Sequence, residues 1–368
     1  MKKSLKQEKV YYNGEFKKFI YLCGGESMIY KFKENRVWRA YTGGKRIDKF
    51  YGKENCSDSR RPEVWLASTV EAFNPDHPVK GEGLSICVDG RIFKEILAQN
   101  PEKILGTELC KKYNGNLSIL VKLLDSAERL VIQCHPTVPF AKKYFGSMFG
   151  KTECWYMLDC DEEACVYLGF KPGITKEKWQ RLFEIQDIEG MLDCLHKFAV
   201  NADDLWFVNG GVPHAIGGGC LMIELQEPSD LMVIPERVTP AGITLADKKL
   251  HGGLGFDKMF DCFEYTGYSR EETKKKYFRR AGLDENKFST VVGDDLTESF
   301  SMKALRVKGK SEVELGDRYA VVIVTNGRGV LKTASGELEL RKSDNFLITA
   351  NSGKLSFAGE LNLIFCIA

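Results

Sequence analysis

The chain lacks any apolar run near the roughly 20 residues that a membrane-spanning helix requires, and it has no CxxC pair, internal repeat or low-complexity stretch. Charge of one sign is missing too. Fifty-three Lys and Arg against 51 Asp and Glu leave a formal net charge of +2 over 368 residues. Nucleic acid is therefore not expected as a partner, because such binding needs a concentrated basic surface. The basic residues Lys2, Lys3, Lys6 and Lys9 have no apolar run behind them, so they do not read as a secretory signal. The expectation is a soluble, cytoplasmic protein with no membrane partner and, by default, a monomer. What is abundant is cysteine, with 12 residues. Without an export signal these read as reduced thiols rather than a disulfide framework. Cys134, Cys154 and Cys220 sit in apolar segments, where free cysteine behaves as a small hydrophobe.

The pattern along the chain is mostly β. Val10, Tyr11 and Tyr12, the Asn13-Gly14 pair and residues 19–22 have the form of a hairpin within an N-terminal stretch of short strands and turns. Residues 91–113 read as helical, with Pro101 opening a second helix. Residues 117–124 and 129–135 read as two apolar strands, and 155–159 with 164–168 as another pair. Thr175 can cap a helix over 176–185, followed by a second over 188–198. Strands return at 204–208 and 220–225. From about residue 298 short strands alternate with Asn326-Gly327, Ser335-Gly336 and Ser352-Gly353. The expected fold is mainly β: two jelly-roll β-barrel lobes with inserted helices. Residues 1–265 would form the first lobe, interrupted by helices at about 91–113 and 171–200. Residues 266–297 would be a helical connector and 298–368 the second lobe.

Among only five histidines, two lie beside proline and glycine turns in apolar segments. Gln133 and His135, two apart on one strand, leave the same face. Glu153 opens a following strand after a glycine turn, and His214 follows Gly210-Gly211. Two imidazoles, a carboxylate and an amide oxygen make a mixed shell that Zn²⁺ accepts. A strand-face histidine is equally at home as a hydrogen-bonded interior residue, and the pattern alone leaves both readings open.

Residues 130–136 (Leu-Val-Ile-Gln-Cys-His-Pro), 150–156 (Gly-Lys-Thr-Glu-Cys-Trp-Tyr), 212–217 (Val-Pro-His-Ala-Ile-Gly) and 223–230 (Ile-Glu-Leu-Gln-Glu-Pro-Ser-Asp) together resemble class I mannose-6-phosphate isomerases, of the cupin superfamily, in order and spacing. Residues 121–125 and 62–66 extend the resemblance more weakly, so that it spans about residues 35–230. It implies a cupin-like catalytic lobe and a second cupin-like lobe in the β-rich tail. It also implies one zinc ion per chain on Gln133, His135, Glu153 and His214, and a sugar phosphate substrate. The reaction it implies interconverts mannose 6-phosphate and fructose 6-phosphate through an enediol. By the same resemblance Glu224 is the essential glutamate, Lys122 an active-site lysine, Lys151 a substrate-binding lysine and Asp230 an orienting acid.

One position departs from the family. Four residues beyond the aspartate the family places an arginine, and this chain has Ile234. Arg237, three residues on, is expected to supply the guanidinium if Pro235 bends the chain. The alternatives are a metal-dependent isomerase of a different or unphosphorylated sugar, and a non-catalytic sugar-binding cupin.

Overall fold

A computed structural model describes residues 28–368, together with the backbone of two paired strands, Glu8–Tyr12 and Glu15–Phe19. Those strands form the expected hairpin, with Tyr12 opposite Glu15. Its second strand starts four residues before the expected one; residues 13–14 and 20–22 lie outside the described residues.

Mainly β structure (35% strand, 20% helix) is arranged in several antiparallel sheets. A seven-stranded sheet has the order Phe278–Arg280, Asp204–Val208, Glu153–Cys160, Cys220–Gln226, Leu120–Ser126, Glu63–Leu66 and Arg36–Val37. A three-stranded sheet joins His214–Ile216, Cys165–Phe170 and Leu195–Ala199. The remaining large sheet is built from Ser301–Val313, Leu355–Ile367, Ala320–Thr333 and Asn345–Ile348, with Phe288–Val292 on one edge and Gly336–Arg341 paired to part of Ala320–Thr333. Its other edge is Ile29–Lys31, some 313 positions earlier in the chain and clamped by Lys31 Nζ to Asp344 Oδ1 at 3.0 Å.

Helices form where the sequence carries their start signals. Thr175 accepts from the Lys178 amide and starts Lys176–Ile185, whose Trp179 and Phe183 are buried. Pro101 opens Pro101–Leu105, between Phe93–Gln99 and Thr107–Lys112. The second expected helix after Thr175 is shorter, Ile188–Asp193, and the chain turns into the strand Leu195–Ala199. Four helices stand where none was expected, Lys45–Phe50, the Thr137-capped Val138–Tyr144, Asp247–His251 and Phe256–Met259. The charged connector contains one helix, Arg270–Tyr277, and two strands that join different sheets.

Three expectations fail for identifiable reasons. Residues 129–135 are extended but not a strand. The Ile132 amide donates to the Glu236 carboxylate at 2.5 Å, and only isolated bridges at Gln133–His214 and Cys134–Val233 flank it. Glu153–Cys160 and Cys165–Phe170 do not pair with each other but enter separate sheets. Asn326-Gly327 is no turn: it sits inside Ala320–Thr333 at a register shift, with Gly327 at φ 89° against Leu361. A Cβ there would lie 2.0 Å from the Glu360 carbonyl.

The largest apolar core is shared between the sheets. Val121, Leu123, Met222 and Ile223 of the first pack in one cluster with Tyr319, Val321, Ile364 and Cys366 of the C-terminal sheet. The 11 cysteines among the described residues are free.

Candidate metal centre and adjoining cavity

Alternation along the central strands divides the first sheet into two chemically different faces. Val64, Val121, Leu123, Ile223 and Leu225 point into the apolar core. The opposite face carries a row in direct register, Trp65 beside Lys122, Lys122 beside Glu224 and Glu224 beside Trp155. Glu153 and Gln226 stand next to that row, also opposite each other. The polar face borders a cleft enclosing about 820 Å³, part of it open to solvent.

At the Glu153 end, three buried side chains converge. His135 Nε2 lies 3.2 Å from Glu153 Oε2, and His214 Nε2 lies 3.4 Å from Glu153 Oε1. Each imidazole turns its Nδ1 to a backbone carbonyl, His135 to Leu231 O and His214 to Val212 O, both at 2.9 Å. A carbonyl only accepts, so Nδ1 carries the proton and Nε2 keeps its lone pair toward Glu153. Burial lowers both imidazoles from their ordinary value, His214 to about 3, so both are neutral near pH 7. His214 Nε2 has no hydrogen-bond partner although it is fully buried. Burial opposes charge on Glu153, but with the Lys151 ammonium against it the carboxyl is held well below the usual carboxylate range. Ligand bonds of about 2.0–2.1 Å in a tetrahedron put ligand atoms roughly 3.3–3.5 Å apart. Here the imidazoles face different oxygens of Glu153, and the three candidate ligand atoms lie within 4.8 Å of one another, close enough to converge on a metal ion. Gln133 exchanges both backbone hydrogen bonds with His214 at 2.9 Å and lines the cleft. Glycine makes this approach possible: a Cβ on Gly150 or Gly210 would come within 2.7 Å of the Pro136 carbonyl.

Lys151 Nζ already sits as a cation on two of these atoms, 2.7 Å from His135 Nε2 and 2.5 Å from Glu153 Oε2, and 4.0 Å from Glu224 Oε1. Next along the face, Lys122 Nζ pairs with Glu224 Oε2 at 2.8 Å. Burial raises the Glu224 carboxyl above its ordinary value against the pull of Lys122, so it is a stronger base than a surface glutamate. Burial works against the Lys122 charge, yet Glu224 and Glu63 hold its proton more firmly than usual.

Beyond Lys122 lies a network that reading the sequence missed. Arg39, 6% exposed, donates to both oxygens of Asp230 at 3.1 Å and pairs through Nε with Glu63 Oε2 at 3.1 Å. Glu63 also accepts from Tyr41 Oη and Trp65 Nε1, both at 2.7 Å. The Arg39 guanidinium and the Lys122 ammonium lie 5.0 and 5.2 Å from the Trp65 ring. Burial disfavours charge on Asp230 and Glu63, but Arg39 overrides it and lowers both carboxyls.

The structure thus lines one cleft with Gln133, Lys151, Lys122, Glu224 and Asp230, and buries the His135–Glu153–His214 cluster in contact with Lys151. It does not bring Arg237 there. That guanidinium lies 4.7 Å from the rings of Phe183 and Phe256 and pairs with Asp247 at 3.1 Å, away from the cleft. Pro235 does not redirect it, because the two rings and Asp247 give it better partners. Ile234 lines the cleft and is buried with Leu245 and Leu250.

Two family descriptions match the chain: the catalytic domain of type I phosphomannose isomerase over residues 30–162 and the cupin domain of mannose-6-phosphate isomerase over residues 295–367. The chain belongs to the type I mannose-6-phosphate isomerase family. Similar relatives include the mannose-6-phosphate isomerase of Streptococcus mutans, 25% identical over 342 residues, covering 90% of this chain and 96% of that one. Mannose-6-phosphate isomerase ManA of Bacillus subtilis is 25% identical over 248 residues, 67% of this chain and 73% of its own length. A crystal structure of the Bacillus subtilis mannose 6-phosphate isomerase shares the fold at a TM-score of 0.68 and 23% identity, covering 93% of this chain and 99% of that chain. A mannose 6-phosphate isomerase bound with zinc and yttrium shares it at 0.70 and 15% identity, covering 92% and 99%. The cleft of this type I isomerase family member lies on residues drawn from both the matched catalytic segment and the stretch 212–250 that follows it.

Proposed function

We propose that the chain is a zinc-dependent aldose–ketose isomerase that interconverts mannose 6-phosphate and fructose 6-phosphate in the cytoplasm. The observation that carries the reading is the buried His135–Glu153–His214 cluster with the Glu224–Lys122 pair next to it on one sheet face. Membership of the isomerase family and the zinc in a relative of the same fold support it. We read the two seven-stranded sheets as the frames of two cupin-like lobes.

Zinc held by Gln133, His135, Glu153 and His214 would supply Lewis acidity toward the sugar's oxygens, lowering the cost of enediolate charge. The remaining chemistry belongs to side chains. Glu224, made more basic by burial, takes the proton from C2 of the open-chain aldose as a carboxylate and returns it to C1 as a carboxylic acid, while the hydroxyl proton on O2 passes to O1. Lys122 keeps its proton beside Glu224 and offers it as a hydrogen bond to the sugar oxygen that gains charge. Lys151 binds the neighbouring hydroxyls. Asp230, fixed by two Arg39 hydrogen bonds, orients the sugar at the far side.

A second reading is favoured by Ile234, which gives the cleft an apolar wall with Met232 and Leu245 where the family places an arginine. In that reading the same machinery acts on a different or unphosphorylated sugar. A coupled spectrophotometric assay offering mannose 6-phosphate, glucose 6-phosphate and free mannose distinguishes them. Turnover of mannose 6-phosphate is expected; turnover of free mannose alone would replace the first reading by the second.

A further inference from the structure

Five cations line the cleft, and four have a carboxylate partner: Lys151 with Glu153, Lys122 with Glu224, Arg39 with Asp230 and Glu63, and Arg129 with Glu236. Lys249 is the fifth. Among the described residues, no carboxylate forms an ion pair with it; its ammonium donates to the Phe73 carbonyl at 2.8 Å and lies 5.2 Å from the Phe73 ring. An ammonium has three donors, so two remain for a ligand. The charged groups around it are Asp230, Arg39, Glu63 and Asp76, and on its own helix, Asp247–His251, Asp247, Lys248 and His251. Arg39 takes the close pairing with both Asp230 and Glu63, so neither carboxylate forms an ion pair with Lys249 and its remaining donors stay open.

Its place in the cleft matters as much as its charge. From the His135–Glu153–His214 cluster the contacts run to Lys151, then Glu224, then Lys122, across the Trp65 ring to Arg39, and through Asp230 and the Phe73 backbone to Lys249. Lys249 is the last member of that series. In a hexose 6-phosphate the reacting C1 and C2 and the phosphate are at opposite ends. Placing C2 at Glu224 therefore sends the phosphate toward Lys249, past the uncharged wall of Met232, Ile234 and Leu245.

We propose that Lys249 anchors the substrate phosphate at the end of the cleft remote from the metal ligands, replacing the arginine that gives way to Ile234. This rests on the sugar-phosphate isomerase reading above. Burial lowers the Lys249 ammonium to about 8, so the anchor is protonated at neutral pH and loses its charge as pH rises through that value.

The test compares wild type, Lys249→Met and, as a control, the exposed neighbour Lys248→Met. Loss of a charge-assisted hydrogen bond should raise KM for mannose 6-phosphate roughly 10- to 100-fold in Lys249→Met. Its kcat should change far less, bound zinc should stay the same, and Lys248→Met should match wild type. The wild-type KM should rise above about pH 8 and that rise should be absent in Lys249→Met. Calorimetric titration with mannitol 6-phosphate, which cannot isomerise, reads the anchor without turnover and should weaken by the same factor. An unchanged KM and mannitol 6-phosphate affinity in Lys249→Met would overturn the anchor while leaving the isomerase reading in place. A wild type that binds mannitol 6-phosphate through Lys249 but turns over no sugar phosphate would overturn the isomerase reading alone.

Discussion

Glu224 and Arg39 show how differently two buried charged residues act in one cleft. Glu224 is raised by burial and sits where a base is needed, so Glu224→Gln should lower kcat by roughly 10²-fold or more. The check is the coupled assay beside a zinc determination; full activity with normal zinc would remove Glu224 from the reaction. Arg39 instead compensates two buried carboxylates at once. Arg39→Met should cost about 3–5 kcal/mol of folding stability near neutral pH, because Asp230 and Glu63 are left buried and unpaired. The pH dependence should also reverse. In the wild type both carboxyls are lowered, so their contribution is present above the unfolded-state pKa and is lost as pH falls through the folded one. In the variant desolvation raises both, and stability should recover as pH falls from about 7.5 to about 5.5. Urea unfolding at those two values checks the sign. The His135–Glu153–His214 cluster was legible in the sequence through the four-block family resemblance, since the spacing of Gln-x-His and Pro-His alone left an interior hydrogen-bonding role open. Arg39 and Lys249 were not, since a lone cation outside any periodic segment looks like solvated surface until residues 39, 73, 230 and 249 are brought together. Arg237 misled by nearness in sequence; the rings of Phe183 and Phe256 decide where it goes.

Three separate backbone pieces deliver the side chains of the proposed metal site: the bridge segment at 133–135, the start of Glu153–Cys160 and the start of His214–Ile216. An ion held by all of them ties these pieces together, so its affinity is added to folding stability. Zinc at about 100 times its dissociation constant should stabilise the chain by about 2.7 kcal/mol. Calorimetric melting with and without EDTA measures this, and His214→Ala should abolish the zinc-dependent part. Chelation should lower Tm without unfolding the protein at room temperature, because Lys151 keeps Glu153 compensated. Elements with their own start signals were readable, as Thr175 and Pro101 demonstrate. Those decided by a distant side chain were not. The Glu236 carboxylate that takes the Ile132 amide lies 104 positions away and breaks a strand that hydrophobicity alone would continue.

Across the molecule the large core cluster joins both seven-stranded sheets, so neither has an apolar interior entirely of its own. Guanidinium unfolding should therefore be one transition. Tryptophan fluorescence reports only the part before residue 207, where all five tryptophans lie. Hydrogen exchange over residues 301–367 reports the C-terminal sheet, and the two should coincide in midpoint. Separate midpoints would show two independently folding bodies. Mainly β character and the inserted helices could be read from alternation and caps, whereas the partnership of Ile29–Lys31 with Asn345–Ile348 has no local signal. That partnership also sets a timetable for the newborn chain. At about 5–20 residues per second of synthesis, the 313 positions from Lys31 to Asp344 correspond to roughly 15–60 s. For most of that interval Ile29–Lys31 is outside the ribosome while the strand it belongs beside does not yet exist.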